Sequence, residues 1–366
     1  MTFRGRIAVI ADGDPLNAST NSGVARGITT ALTRSLGDAR VITIDGSLSG
    51  LRRIVLSALT FRPSRRRWFI ARNAGLLNIV WRSLRRERKS HEADLILHVR
   101  NIYLPSRRPY AVFIDSTTNM SQQAWSEWRP WPPLERARRL IETWYYRRAE
   151  LVFTAGPQAA EDVIGNYGVA RAKVAAIGGG VNFDVDDVAV ASNPRVSTAT
   201  EPVILFVGRD YHRKGGDLIL AAFDKLRAEY SQARLLFVGC RPPGPVPAGV
   251  DVIPDVLDRQ EMAELYRRAD VFCLPTRHEP YGLVILEAMA FGLPVVATAI
   301  GAIPAIVEHE RSGLIVPPSD EQALVSALTY LVSDEEARAR YSGRAHDVAM
   351  KEHTWDRVAE RMLERL

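Results

Sequence analysis

Two cysteines in 366 residues, Cys240 and Cys273, leave no disulfide framework and no cysteine-built metal site. Each closes an apolar run, so both read as buried, reduced thiols. No apolar run nears the roughly 18 residues that span a bilayer. The opening stretch MTFRGRIAVIADGD reaches Asp12 and Asp14 before its apolar part is long enough for a secretory signal, so a cytoplasmic compartment is expected. Neither GxGxxG nor GxxxxGK[ST] follows the first strand-like run, which leaves a dinucleotide fingerprint and a Walker loop unsupported. Acidic residues are scarce in one region: residues 52 to 108 hold 15 basic and 3 acidic side chains.

What is present is ordinary for a soluble globular chain, with 46% hydrophobic and 25% charged residues. The length favours two domains. The net charge of +6 is uneven, with residues 1–190 carrying +11 and residues 191–366 carrying −5. The first half therefore favours an anionic surface or partner.

Strand and helix patterns alternate along the chain. Arg6 to Asp12, Val41 to Asp45, Asp94 to Val99, Tyr110 to Asp115, Leu151 to Ala155 and Val174 to Ile177 read as strands of a first sheet. Helical spacing runs from Val24 to Leu36 behind a polar loop ending in Ser22-Gly23. Such a loop lets backbone N–H groups at the helix start face an anion. Asp12-Gly13-Asp14 reads as a turn rather than a magnesium site, for want of a third ligand. Residues 50 to 90 interleave arginine with Leu, Ile and Trp. They fit either domain helices with a solvated basic face or an amphipathic surface lying on anionic lipid. No nucleic-acid motif accompanies the charge. Residues 125 to 148 are aromatic and basic.

The small, polar segment 191–201 reads as a linker, after which the pattern restarts with strands at Pro202 to Gly208, Arg234 to Gly239, Val250 to Ile253 and Asp270 to Leu274. The fold class read from this is α/β, two doubly wound domains facing across a cleft, 1–190 and 202–349. Ligands in such sheets sit at the carboxyl ends of the strands. Arg209 and Lys214 follow one such end, and Asp115 another.

The most informative stretch is residues 278 to 298, HEPYGLVILEAMAFGLPVVAT. Glu279 precedes a helix beginning near Gly282, and Gly292 and Pro294 stop that helix before a strand from Val295 to Thr298. Glu287 lies inside the helix among Val284, Ile285, Leu286, Ala288, Met289 and Ala290. A carboxylate in so apolar a helix is costly unless something binds it, which points to a ligand. The plainer account, an acid at a helix N-terminus, suits Glu279 better than Glu287. Two cations and two acids around a helix start suggest a nucleotide-sugar site, with cations on the phosphates and carboxylates on sugar hydroxyls.

The ordered set Ser22-Gly23-Val24, Val207-Gly208-Arg209, Lys214-Gly215, Gly239, Pro275, Glu279 through Glu287, Gly292-Leu293-Pro294-Val295-Val296-Ala297 and Gly313-Leu314-Ile315-Val316-Pro317-Pro318 resembles retaining glycosyltransferases of family 4, which have the GT-B fold. The likeness is dense from about 202 to 332 and thin before it. It implies that Arg209 and Lys214 bind the donor pyrophosphate and that Glu279 faces the transferred sugar. Amides at Tyr281, Gly282 and Leu283 would meet the sugar or the phosphate, and Glu287 would hold the ribose. It also implies that Gly23 lets the first-half loop close on the diphosphate, that Asp115 serves the acceptor side where many relatives carry a histidine, and that the last helix, about 350–366, packs on the first domain. A nucleotide-sugar donor, no metal, and an acceptor in cell-envelope polysaccharide or glycolipid synthesis are expected. The acceptor is expected to be held at the inner face of the plasma membrane, with residues 52–108 against anionic lipid. A soluble acceptor, and a non-catalytic sugar-nucleotide-binding subunit, are the alternatives.

Overall fold

The computed structural model describes residues 3–47, 79–80, 83–84, 86, 89–100, 103–124, 132–184, 188, 201–256 and 258–366. Most of the basic stretch 50–90, nearly all of the linker 191–201, and Trp125, Trp128 and Trp131 lie outside the described residues.

The first sheet contains β1 (Ile7–Ala11), β2 (Val41–Asp45), β3 (Leu95–Val99), β4 (Tyr110–Ile114), β5 (Leu151–Thr154) and β6 (Val174–Ala176). Every residue of β1, β3 and β4 is buried, which is why these strands read as unbroken apolar runs rather than alternating ones. The strands are parallel in the order β2-β1-β3-β4-β5-β6. The connecting helices include α1 (Val24–Leu36), α2 (Thr118–Ala124), α3 (Pro132–Arg148) and α4 (Pro157–Tyr167).

The second sheet contains β7 (Val203–Val207), β8 (Arg234–Val238), β9 (Val250–Ile253), β10 (Val271–Leu274), β11 (Val295–Thr298) and β12 (Gly313–Val316). It is also parallel, in the order β12-β11-β10-β7-β8-β9. Its helices are α5 (Gly216–Glu229), α6 (Arg259–Arg268), α7 (Leu283–Ala290), α8 (Ile303–Ile306), α9 (Glu321–Ser333) and α10 (Glu335–Glu352). The strand order reverses between β7 and β10, so their carboxyl ends form the switch point where such sheets bind ligands.

The chain forms two units, Met1–Gly178 with Trp355–Leu366, and Gly179–Thr354. The division thus falls at the glycines after β6, earlier than the 191–201 segment suggested by composition. The last helix, α11 (Trp355–Leu363), belongs to the first unit. A Cβ on Gly27 of α1 would stand 2.3 Å from the Trp355 indole, so the missing side chain makes room for that ring. Arg34 and Asp356 form an ion pair at 2.8 Å on the same pair of helices. Among the described residues no helix is long and apolar enough to cross a membrane.

His98 of β3 is wholly buried, with Nδ1 2.6 Å from the Tyr145 hydroxyl and its ring stacked on Tyr103 at 4.3 Å. Burial, and then the nearby Arg86 charge, hold its pKa well below 6.5. The unfolded chain therefore binds this proton more readily than the folded one. Stability is complete above about pH 6.5 and is lost as the pH falls below it. A thermal unfolding series from neutral to mildly acidic pH is expected to show this loss, and His98→Gln to show a shallower slope.

Candidate functional site

Two loops meet at the switch point of the second sheet. One follows β7 and runs to α5; the other follows β10 and runs to α7. They are fastened together through backbone and side chain alike. The Arg213 carbonyl accepts from the Arg277 amide at 2.8 Å and from Thr276 Oγ1 at 3.0 Å. The Arg213 guanidinium donates to the His278 carbonyl at 3.0 Å. Arg277 forks onto Asp217 with contacts of 2.6 and 2.7 Å. Two glycines permit the approach. Gly215 has φ +76, and a Cβ there would stand 2.0 Å from the Pro275 carbonyl oxygen. Gly301 has φ +56, and its Cβ would stand 1.8 Å from the Glu279 carbonyl oxygen.

This fastening brings together two residues 65 apart in sequence. Lys214 Nζ donates to Glu279 Oε2 in a tight ion pair, and both residues are more than nine-tenths buried. So little exposed a pair relies on its geometry, because each charge has given up most of its water. The resemblance implies a separate ligand for each residue; the structure pairs them. Arg209, in the same loop, is exposed and makes no ion pair or side-chain hydrogen bond with any described residue. It is a guanidinium available to an anion.

The second loop ends at Gly282, whose left-handed backbone caps α7, and no side chain caps this end. The first N–H groups of a helix lack partners within it, and the helix dipole adds positive potential there. The amides at Gly282 and Leu283 therefore suit an anion. The Tyr281 side chain is otherwise engaged. Its hydroxyl accepts from the Gly179 amide at 2.6 Å and lies 3.2 Å from His353 Nδ1. What Tyr281 has to offer a ligand is thus its backbone.

Glu287 lies within α7 as expected, but the reading that only a ligand accounts for it needs correction. Asn182 Nδ2 donates to Oε1 at 3.0 Å, and the Tyr266 hydroxyl donates to Oε2 at 3.1 Å. The residue stays half-buried, and burial still raises its pKa above the ordinary carboxylate value. These partners come from distant segments, which is why no local pattern disclosed them.

The first unit has its own polar group at the switch point beside β1 and β3. Asp115, just past β4, is ion-paired with Arg100, just past β3. Arg100 adopts a left-handed backbone, φ +60, and also donates to the Asn21 carbonyl at 3.1 Å. Asn21, Ser22 and Gly23 are all left-handed, with φ of 53, 58 and 84. Arg100 therefore ties Asp115 to the Gly23 loop, and the sequence reading missed it. Glu142 of α3 was missed too. It is 1% exposed and accepts from the Thr118 amide and hydroxyl at 3.2 and 3.0 Å, and from the Tyr146 and Tyr167 hydroxyls at 3.0 and 2.8 Å. An acid amid the aromatic and basic residues of this helix was its available signal. Asp14 accepts from the Leu16 amide at 2.9 Å, as in a turn. Among the described residues, no three His, Cys, Asp or Glu side chains are grouped to hold a metal ion.

Two family models match the chain, "Glycosyltransferase Family 4" over residues 24–185 and "Glycosyl transferases group 1" over residues 201–334. The chain is 30% identical, over 63% of its length and 60% of the relative's, to a D-inositol 3-phosphate glycosyltransferase of Xylanimonas cellulosilytica. The matched region thus spans less than two thirds of the curated relative. Among solved structures, sucrose-phosphate synthase from Thermosynechococcus elongatus superposes with a TM-score of 0.70 at 22% identity, over 99% of this chain and 98% of that one. Anabaena HepE, solved in complex with UDP-glucose, superposes with a TM-score of 0.65 at 17% identity, over 98% of both chains. At such identities these structures speak for the fold alone.

Proposed function

We propose that this chain, which belongs to the family 4 (group 1) glycosyltransferases, moves a sugar from a nucleotide-diphosphate sugar to an acceptor hydroxyl with retention of configuration. The observation that carries this reading is the buried Lys214–Glu279 pair in the loops that end at the uncapped start of α7. Lys214, Arg209 and the α7 amides gather positive charge at one switch point. That arrangement suits a diphosphate whose charge grows as it leaves. Glu279 holds Lys214 in place and faces hydroxyls of the transferred sugar. It is not assigned as a nucleophile. The bond from the anomeric carbon to the diphosphate breaks, and the acceptor oxygen bonds to that carbon on the same face. The acceptor's proton passes to a departing phosphate oxygen. The cationic groups neutralise the leaving group, so no metal is required. Turnover with a UDP-, GDP- or ADP-sugar is expected to survive chelation by EDTA, and proton NMR of the first product to show the donor's own anomeric configuration. An inverted product would overturn the reading.

A membrane-held acceptor is the finer reading. It is supported by the outer face of α3, where Leu140 is 71% and Trp144 51% exposed among the exposed Arg136, Arg139, Arg147 and Arg148. Aromatic and aliphatic groups beside arginines suit an anionic bilayer surface. The protein is expected to float with vesicles containing phosphatidylserine, to be released by salt, and to float less as Trp144→Ala. Absence of salt-sensitive flotation would favour a soluble acceptor, as the name of the inositol-phosphate relative suggests.

A further inference from the structure

Glu287 is oriented by groups that no part of the chemistry above uses. Asn182 belongs to the turn after β6, and Tyr266 to α6. They give one hydrogen bond to each carboxylate oxygen, at 3.0 and 3.1 Å. A carboxylate oxygen accepts two such bonds, so each keeps one acceptor direction. With part of the side chain accessible, that geometry suits a pair of neighbouring hydroxyls, one on each oxygen.

Asn182 is itself placed with care. The Gly179 amide donates to the Tyr281 hydroxyl at 2.6 Å, and the Val181 amide to the His353 carbonyl at 2.9 Å. On its other side, Phe183 packs edge-on against Tyr266 and Phe291, with centroids 5.8 and 5.0 Å apart. The turn is therefore anchored at Tyr281, just before α7, and reaches Glu287 within it. We infer that Asn182 and Tyr266 are positioning residues that orient the Glu287 carboxylate toward the ribose diol of the donor, making residues 179–183 part of the donor site. The inference rests on the donor-binding reading of Glu287.

It has a signature that mere packing lacks. Burial, hydrogen bonds and a nearby charge all act on the Glu287 carboxyl. Arg259 of α6 favours its ionised form, as do the two hydrogen bonds, while burial opposes it. Arg267 of α6 lies over the Phe291 ring at 5.7 Å. Removing either donor leaves the burial and takes away a bond to the charged form. Glu287 should then take up its proton at higher pH, and ribose binding should fail at higher pH with it.

The test is calorimetric titration of the full chain with UDP, GDP and ADP, each from about pH 5 to 8, which brackets carboxylate and histidine titration. Asn182→Ala is expected to weaken the nucleotide that binds by about tenfold, as for loss of a hydrogen bond to a charged group. It is also expected to move the acid limb of binding to higher pH. Tyr266→Phe, which keeps the ring, should move the limb the same way and decides the matter where Asn182→Ala does not fold. In a Glu287→Gln background, neither change should move the limb. An unmoved limb in both single variants, with Glu287→Ala still weakening the nucleotide, overturns the inference alone. Unaltered binding in Glu287→Ala, or no binding of any of the three nucleotides to the unmodified chain, overturns the donor reading itself.

Discussion

Lys214→Ala is expected to lower kcat by about a hundred- to a thousandfold, the scale seen when one electrostatic contact to a developing charge is removed. The ammonium does two jobs. It neutralises Glu279 in a nearly dry setting, and it stands at the switch point where the leaving diphosphate would gather charge. Removing it also strands the Glu279 carboxylate, and breaking a buried pair this way costs about 3–5 kcal/mol. Unfolding and lost chemistry must therefore be told apart. The double change Lys214→Met with Glu279→Leu removes both charges at similar volume, so it should recover much of the melting temperature. It should recover none of the turnover. Recovery of kcat in that double variant would show the pair to be structural only.

The second large effect is expected from Gly301→Ala. The change adds one methyl group, but that methyl would stand 1.8 Å from the Glu279 carbonyl oxygen, at a backbone φ of +56. Something must shift, and the nearest thing to shift is the loop carrying Glu279. A loss of about 3 kcal/mol is expected from the combined strain and clash, which for a unit the size of Gly179–Thr354 lowers Tm by roughly 6–12 °C. Activity should fall further than stability accounts for. Gly165→Ala, in α4, is the control: its new methyl meets nothing within 4 Å. That variant should be neutral or more stable by up to about 1 kcal/mol.

Helix α7 and strand β11 were legible in the sequence because glycine and proline punctuate them and their residues share one environment. The same holds for α1, bounded by Gly23 and Gly37. The candidate site residues stood out in the sequence because acids and cations beside strand ends are conspicuous. Their pairing did not. Lys214 and Glu279 lie 65 residues apart, and the contact exists only because β7 and β10 are neighbours in the sheet. Glu287 looked unpartnered for the same reason: Asn182 is 105 residues away and Tyr266 is 21. Arg100 escaped notice because its left-handed backbone is unmarked by glycine. Composition points to the small, polar segment 191–201 as a linker, and nearly all of that segment lies outside the described residues. The first sheet ends at Ala176, and the units divide at the glycines that follow it.

In the proposed reaction the second unit grips a nucleotide-diphosphate sugar at the β7–β10 switch point. Arg209 offers the cleanest probe of it, since it is exposed and its replacement should leave the fold intact. A thermal-shift series with UDP-, GDP- and ADP-sugars measures this grip. A ligand that binds only the folded state stabilises by about 2.7 kcal/mol at a hundred times its Kd. One donor class is expected to raise Tm in step with the logarithm of its concentration, and Arg209→Ala to need a higher concentration for the same rise. No rise with any nucleotide sugar, or a rise that Arg209→Ala leaves unchanged, would contradict it.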